Sequence, residues 1–236
     1  MGEIKQSTRI QTSILNASEK KLLVWLGNHM PAWVNSDMMT FIGVFGAFMC
    51  GLGFALTWFN IYWLWLSVAG LFVHWFGDSL DGTIARVRHH QRPLYGYYLD
   101  HNIDVITEGF MFVGAGLSPL MHMSIALAIF AAYLAMTVYV SINAHLKSEF
   151  KLTYGKLGPT EFRVIIAIAC IILMYVPFLH TYHLDFHMLG RDIMLCTLDI
   201  VGAIILFILT VIYLHSFFSD LRWFSEHDPM PHPENE

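Results

Sequence analysis

The chain has 236 residues, of which 56% are hydrophobic and only 13% are charged, whereas soluble domains carry about 25% charged residues. A soluble protein of this composition would expose far too much apolar surface, and a disordered chain would be far less hydrophobic. The net charge of −5 argues against a nucleic-acid-binding protein, and three scattered cysteines provide no disulfide framework. These exclusions leave an integral protein of the lipid bilayer.

Long windows without charged residues predict the membrane helices. No Asp, Glu, Lys or Arg occurs over residues 38–77, 109–146 or 164–184, and a fourth window, 193–219, contains only Asp199. About 20 apolar residues cross a 30 Å hydrocarbon core as a helix, so each of the first two windows can hold a helical hairpin. We therefore predict an all-α, polytopic membrane protein with six transmembrane helices, near residues 39–58, 62–87, 95–116, 121–145, 160–180 and 193–218.

The basic residues predict the orientation. With six spans both termini lie on one side of the membrane, and every Lys and Arg except Arg191 falls on that side. Basic residues concentrate in cytoplasmic segments, so we expect cytoplasmic termini, at the inner membrane if the protein is bacterial. The predicted parts are an N-terminal cytoplasmic or interfacial segment (1–36), a six-helix membrane domain (37–219) and a cytoplasmic tail (220–236). Within the first part we expect a short interfacial helix over 16–30, with packing on the bundle as the alternative.

Four acidic residues stand at helical spacing between the second and third predicted spans. Asp78 and Asp81 are three residues apart, and Asp100 and Asp104 are four apart on the next helix. Two helices joined by a short loop can thus direct four carboxylates into one cleft at the membrane boundary. Such a cluster repels itself unless cations neutralise it, and ligand sets of oxygen alone suit Mg²⁺ or Mn²⁺. The alternative is a solvated loop with acids placed by chance, but carboxylates at membrane depth favour a functional site.

Small residues and one arginine accompany these acids. Gly82 and Ala85 continue the helix face of the first acidic pair, and Gly96 lies one turn before the second pair. They would keep the cleft open, so that a phosphate group can approach the backbone. Arg86 supplies a fixed positive fork for phosphate oxygens.

The spacing of these residues resembles the signature of the CDP-alcohol phosphatidyltransferases. The pattern reads Asp-x-x-Asp-Gly-x-x-Ala-Arg over residues 78–86 and Gly-x-x-x-Asp-x-x-x-Asp over residues 96–104. Chance agreement at eight fixed positions is on the order of one in a million, far rarer than a match to an ordinary short motif. Members of this family share the six-helix layout with a cytoplasmic motif, and they are commonly homodimers, so we expect a homodimer here.

The resemblance implies a role for each motif position. The implied ligands of two divalent ions, Mg²⁺ or Mn²⁺, are Asp78, Asp81, Asp100 and Asp104. Asp104 is also implied as the general base. The residues implied at the CDP moiety are Asp78, Asp81, Gly82, Ala85, Arg86, Gly96 and, at the start of the first span, Asp37 and Thr40. Asp37 stands where family members often carry Asn.

The reaction that these roles imply is transfer of a substituted phosphate from a CDP-linked alcohol to an acceptor hydroxyl, with release of CMP. Either CDP-diacylglycerol donates to a small polar alcohol, or a donor like CDP-choline passes its headgroup to a lipid alcohol. His101 directly follows Asp100, which resembles the branch of the family with headgroup donors, where a His often follows that Asp, and this slightly favours the second case. Two alternatives stay open, an aspartate-rich membrane prenyltransferase and a non-enzymatic ion or proton carrier, although a carrier's acids usually lie nearer the midplane.

Polar residues outside the motif are weaker candidates for binding the acceptor. Arg163 enters the apolar run of the fifth span, with Glu161 in the same helical turn, and Asn143 ends the fourth span. Arg163 could bind an anionic group of the acceptor, pair with Glu161 or extend to the interface. Asn143 could touch the acceptor or meet water, as polar residues at helix ends usually do.

On the outer side, Asp199 stands alone in the last span, where we expect it to form an interhelical hydrogen bond. His180, His183 and His187 share an outer loop that contains no cysteine. This composition favours a hydrated aromatic loop over a metal site.

Overall fold

The computed structural model describes residues 8–10, 16–147, 149–151, 159–188 and 191–230. The start of the predicted N-terminal segment and the last six residues of the predicted tail lie outside these ranges. The elements in chain order are β1 (Thr8–Ile10), α1 (Asn16–His29), α2 (Ser36–Ala55), α3 (Leu64–Val87), α4 (Pro93–Gly116), α5 (Met123–Lys147), β2 (Glu149–Lys151), α6 (Pro159–Tyr175), α7 (Pro177–Thr181), β3 (His183–Met188), β4 (Arg191–Cys196) and α8 (Thr197–His227).

Six long helices, α2 to α6 and α8, lie where six helices were predicted, and two of them differ clearly in their ends. Helix α6 stops at Tyr175 instead of residue 180, because Pro177 lacks an N–H and disfavours helical dihedrals in the residue before it. Helix α8 begins only at Thr197, because the preceding residues form β4, and it continues to His227, past the predicted end at residue 218.

Among the residues that the structure describes, three stretches are long and apolar enough to cross a bilayer, namely Ser36–Trp58, Met123–Lys147 and Thr197–His227. The motif acids lower the apolar character of α3 and α4, and α6 has only 17 residues. The predominantly helical fold with candidate membrane spans is therefore confirmed, whereas the count of six spans stays a prediction.

Two short sheets join the helices. Strand β1 pairs in parallel with β2, so the N-terminal segment meets the connection between α5 and α6. Strands β3 and β4 form an antiparallel hairpin before α8, in a region predicted as an outer loop and the start of the last span. The register of this hairpin sets His183 opposite Cys196.

Glycines allow α2 to pack closely against both α3 and α4. A methyl group on Gly77 of α3 would overlap backbone atoms of Gly43 in α2. A methyl group on Gly51 of α2 would overlap the carbonyl of Phe110 in α4. Small residues of this kind let helix backbones approach, which places the ends of these three helices beside one another.

Helix α1 packs on the bundle through one face. Leu23 is buried there against Leu80 and Ile84 of α3. The carboxylate of Glu19 accepts hydrogen bonds of 2.7 Å from the indole of Trp75 and of 2.7 Å from the hydroxyl of Thr160. The opposite face, with Leu22 and Trp25, is exposed. Packing on the bundle and an apolar outer face are thus both present in this helix.

Arg88, just after α3, fixes the connection between α1 and α2. Its guanidinium donates hydrogen bonds to the backbone carbonyls of Met30, Pro31, Ala32 and Val34. Asn35 follows this connection and caps α2 by accepting a 2.8 Å hydrogen bond from the backbone N–H of Met38. The start of α2 is thereby held at the end of α3 that carries the acidic motif.

Candidate active site

All four motif acids line one recess between α2, α3 and α4. Asp78 and Asp81 come from α3, and Asp100 and Asp104 come from α4. Carboxylate oxygens of Asp78, Asp100 and Asp104 lie within 4.8 Å of one another. The expectation that two helices direct the acids into one cleft is confirmed, while the role of each acid stays a prediction.

Asp81 is held separately, by helix α2. The hydroxyl of Thr40 donates a 2.8 Å hydrogen bond to one carboxylate oxygen of Asp81, and the backbone N–H of Gly82 donates to the other. Ser36, one turn before Thr40, donates a 2.9 Å hydrogen bond to the backbone carbonyl of Asp81. Thr40, which the resemblance implies at the CDP moiety, therefore orients one of the implied metal ligands.

Arg163 connects α6 to the acids. Its guanidinium is 2.6 Å from a carboxylate oxygen of Asp78 and 3.2 Å from Nε2 of His74. The other ring nitrogen of His74 lies 3.0 Å from the backbone carbonyl of Gly43. A carbonyl only accepts, so Nδ1 carries the proton and Nε2 accepts from Arg163.

His74 is the residue that the sequence analysis missed. It is 3% exposed and lines the same recess as the acids. A signal was available, because His74 precedes Asp78 by one helical turn in an otherwise apolar run. Its two hydrogen bonds hold Arg163 and the backbone of α2 in place beside the acids.

The donor set fits a hard divalent cation. The close group of Asp78, Asp100 and Asp104 offers only carboxylate oxygens, which suit Mg²⁺ or Mn²⁺ better than zinc. Two carboxylates 4.8 Å apart repel by about 3.5 kcal/mol at an effective dielectric constant of about 20. A bound cation would offset this repulsion, so the group is suited to hold a metal ion.

The other residues implied at the CDP moiety lie near the start of α2, the end of α3 and the start of α4. The guanidinium of Arg86 packs over Gly82 and donates a 3.0 Å hydrogen bond to the hydroxyl of Thr83. Ala85 is half-buried on the same helix. Asp37 accepts a 3.3 Å hydrogen bond from the hydroxyl of Tyr95 on α4.

Gly96, on the first turns of α4, is exposed, and a methyl group there would meet no atom within 4 Å in the described structure. The space beside it is open, and its role at the nucleotide stays a prediction.

The three acceptor candidates occupy different places. Arg163 bonds to Asp78, as described above. Glu161 is 7% exposed in the first turn of α6. Asn143 lies in the contact between α5 and α8, where its amide donates a 3.1 Å hydrogen bond to the backbone carbonyl of Tyr139. Of the three, Arg163 is the one for which the described structure shows a bond to a motif acid.

Comparison with known proteins agrees with this geometry. The sequence model of the family described as CDP-alcohol phosphatidyltransferase matches residues 33–215. Cholinephosphotransferase 1 of Bos taurus is 25% identical over 171 residues, which are 70% of this chain and 42% of that protein. Cholinephosphotransferase 1 of Homo sapiens is 25% identical over 166 residues, which are 68% of this chain and 41% of that protein. The match thus spans less than half the length of these curated relatives.

Proposed function

We propose that this chain, which belongs to the CDP-alcohol phosphatidyltransferase family, transfers a substituted phosphate from a CDP-alcohol to an acceptor hydroxyl and releases CMP. The observation that carries this proposal is the group formed by Asp78, Asp100 and Asp104, in one recess with Asp81. The matched relatives are named cholinephosphotransferases, and His101 follows Asp100. We therefore favour transfer of a phospho-headgroup to a lipid alcohol over transfer of a phosphatidyl group.

The motif acids are proposed to hold the metal ions, and Asp104 is proposed to act also as the general base. Mg²⁺ or Mn²⁺, two ions by resemblance, would neutralise the diphosphate when held by the motif acids. Asp104 accepts the proton of the acceptor hydroxyl while that oxygen forms its bond to phosphorus. The bond from phosphorus to the CMP oxygen breaks, CMP leaves, and Asp104 then loses its proton to solvent. Arg86 binds the diphosphate oxygens.

Arg163 is proposed to bind the acceptor. Its guanidinium already reaches the recess through Asp78, at 2.6 Å. A cation held by the motif acids would compete with Arg163 for Asp78, and the donors of Arg163 could then bind an anionic or polar group of the acceptor. Glu161 and Asn143 are retained as weaker acceptor contacts, since neither has a described bond to the motif acids.

The proposed placement has six membrane spans, with both termini and the recess on the cytoplasmic side, and two chains in a homodimer. Three helices that qualify as spans and the bias of Lys and Arg support this arrangement. Insertion of a reporter that is active only in the cytoplasm, after residue 117 and after residue 230, tests it. Signal from the first position would refute the orientation.

The reaction is tested with the purified full chain in lipid nanodiscs. CMP release is measured with CDP-choline, CDP-ethanolamine and CDP-diacylglycerol, each with diacylglycerol or small polyols, in Mg²⁺, Mn²⁺ or EDTA. We expect release with a headgroup donor and diacylglycerol, and loss of release in EDTA. Asp100→Ala should abolish CMP release. The matched control is Asp185→Asn, which changes an exposed acid on β3 and should leave CMP release unchanged. Asp104→Asn should bind the nucleotide without transferring.

The same preparation separates the two alternatives. A prenyltransferase would consume a prenyl diphosphate and release diphosphate, and an ion or proton carrier would produce ion flux in liposomes without any CDP-alcohol. Absence of CMP release with every donor, together with either of those activities, would overturn the proposal.

A further inference from the structure

A second group of metal-ligating side chains lies at the opposite end of the bundle from the acidic recess. His122 directly precedes α5, while Cys196 and Asp199 stand at the start of α8. One ligand atom from each of the three lies within 4.8 Å of the others. From Asp104 to the end of α4 the helix rises roughly 18 Å, so this group is distinct from the recess.

Asp199 is the centre of the group. It is 1% exposed, and one carboxylate oxygen accepts a 2.8 Å hydrogen bond from the backbone N–H of Cys196. The carboxylate also accepts from His122 twice, at 2.7 Å from the backbone N–H and at 2.6 Å from Nδ1 of the ring. The expected interhelical hydrogen bond of Asp199 is thereby confirmed, with the start of α5 as its partner. The side chain of His122 is 46% exposed, which leaves the group accessible from outside.

The β3–β4 hairpin adds a fourth candidate ligand, His183, which contacts Cys196 but is not one of the three residues within 4.8 Å of one another. Nδ1 of His183 lies 3.7 Å from Sγ of Cys196, its partner in the strand register. In a tetrahedral zinc site, with Zn–S near 2.3 Å and Zn–N near 2.0–2.1 Å, these two atoms are about 3.6 Å apart. From sequence, the loop of the outer histidines contains no cysteine. The hairpin register places Cys196 opposite His183 and so provides a cysteine partner.

A buried polar atom without a partner adjoins this group. The hydroxyl of Thr197 is buried and has no hydrogen-bond partner among the described residues. Thr197 directly follows Cys196, at the first residue of α8. Buried polar groups are nearly always satisfied, so this hydroxyl is an exception beside the group.

We propose that His122, His183, Cys196 and Asp199 form a zinc site on the outer side of the bundle. The set of two imidazoles, one thiolate and one carboxylate suits tetrahedral Zn²⁺ and does not suit Mg²⁺. Binding displaces the thiol proton of Cys196 to solvent, and the ring proton of His122 moves from Nδ1 to Nε2. The Nδ1 and carboxylate atoms, now 2.6 Å apart, separate to about 3.3 Å around the metal.

The proposed site joins three segments of the chain. His122 belongs to the turn between α4 and α5, His183 to β3, and the other two residues to the start of α8. A bound metal would tie the hairpin to the bundle and raise the stability of the folded protein. This site is independent of the proposed transferase reaction.

Cobalt substitution tests the site directly. The purified full chain is titrated with Co²⁺ in the presence of excess Mg²⁺, which keeps the motif acids occupied. We expect one equivalent to bind with a thiolate-to-cobalt charge-transfer band and the intense visible bands of tetrahedral Co²⁺. Cys196→Ala should remove the charge-transfer band and weaken zinc binding by about 100-fold or more. The matched control is Cys170→Ala, at a buried cysteine of the core, which should retain the charge-transfer band and the affinity for zinc.

A second measurement covers the case in which Cys196→Ala does not fold. X-ray absorption of the wild-type protein with one equivalent of Zn²⁺ should show one sulfur ligand at about 2.3 Å and nitrogen or oxygen ligands at about 2.0–2.2 Å. A shell of oxygen alone, or a charge-transfer band that survives in Cys196→Ala, would overturn the proposal. The cluster would then serve only to cap α8.

Discussion

Replacing Arg163 by glutamine removes the cation that contacts Asp78, one of the three clustered acids. Arg163 and Asp78 are 2.6 Å apart, and their side chains are 17% and 27% exposed. A hydrogen bond to a charged group contributes about 1.5–3 kcal/mol, and partial exposure reduces this through solvent screening. The substitution also leaves the repulsion within the acidic group without its counter-charge. We expect the metal-free protein to lose about 2 kcal/mol of stability.

The assay is thermal unfolding in detergent, with EDTA or with saturating Mg²⁺. A loss of about 2 kcal/mol corresponds to a decrease in Tm of about 4–8 °C for a chain of this size. Mg²⁺ should at least halve this decrease, because the cation supplies the charge that Arg163 had supplied. Arg222→Gln, an exposed position on α8, makes the same change of charge away from the recess. Equal decreases with and without Mg²⁺ would refute the reasoning, as would no decrease in EDTA.

Three further variants probe the surroundings of the recess. Thr40→Val removes the hydroxyl that orients Asp81 and should lower kcat/KM for CMP release by about 10- to 100-fold, whereas Thr40→Ser should retain activity. Gly51→Ala should decrease Tm, since its methyl group overlaps the carbonyl of Phe110 at a cost of about 1–3 kcal/mol; Gly96→Ala, in open space, should leave Tm unchanged. Arg88→Gln removes the donors that hold the connection between α1 and α2, so limited proteolysis should cleave there faster, and Arg88→Lys should restore part of the protection. Unchanged turnover in Thr40→Val, an unchanged Tm in Gly51→Ala or an unchanged rate of cleavage in Arg88→Gln would contradict the corresponding expectation.

The long helices and the acidic motif were readable from local features. Charge-free windows predicted the six long helices, because apolar length and the absence of charge act within single segments. The motif over residues 78–104 could be read as one cleft, because Asp78 and Asp104 lie on consecutive helices joined by a short loop. The ends of α6 and α8 were less predictable, although Pro177 carried the signal for the first of them.

Contacts between segments far apart in sequence could not be predicted from local sequence features. Arg163 could have paired with its neighbour Glu161, but the packing of α6 on α3 places it against Asp78 and His74, some 85 residues away in the sequence. Helical spacing alone does not specify which helix packs against which. The roles proposed for Glu161 and Asn143 depend on that packing and stay predictions.

Composition, the spacing of the acids and the distribution of Lys and Arg are properties of the linear chain. They were enough to identify a helical membrane protein and to point to its family and reaction class. The tertiary structure decided which carboxylates form a close group, that Thr40 orients Asp81, and that His183 meets Cys196 near Asp199. Such contacts depend on the register of a hairpin and on glycine-mediated helix packing, which arise only when segments far apart in sequence fold together.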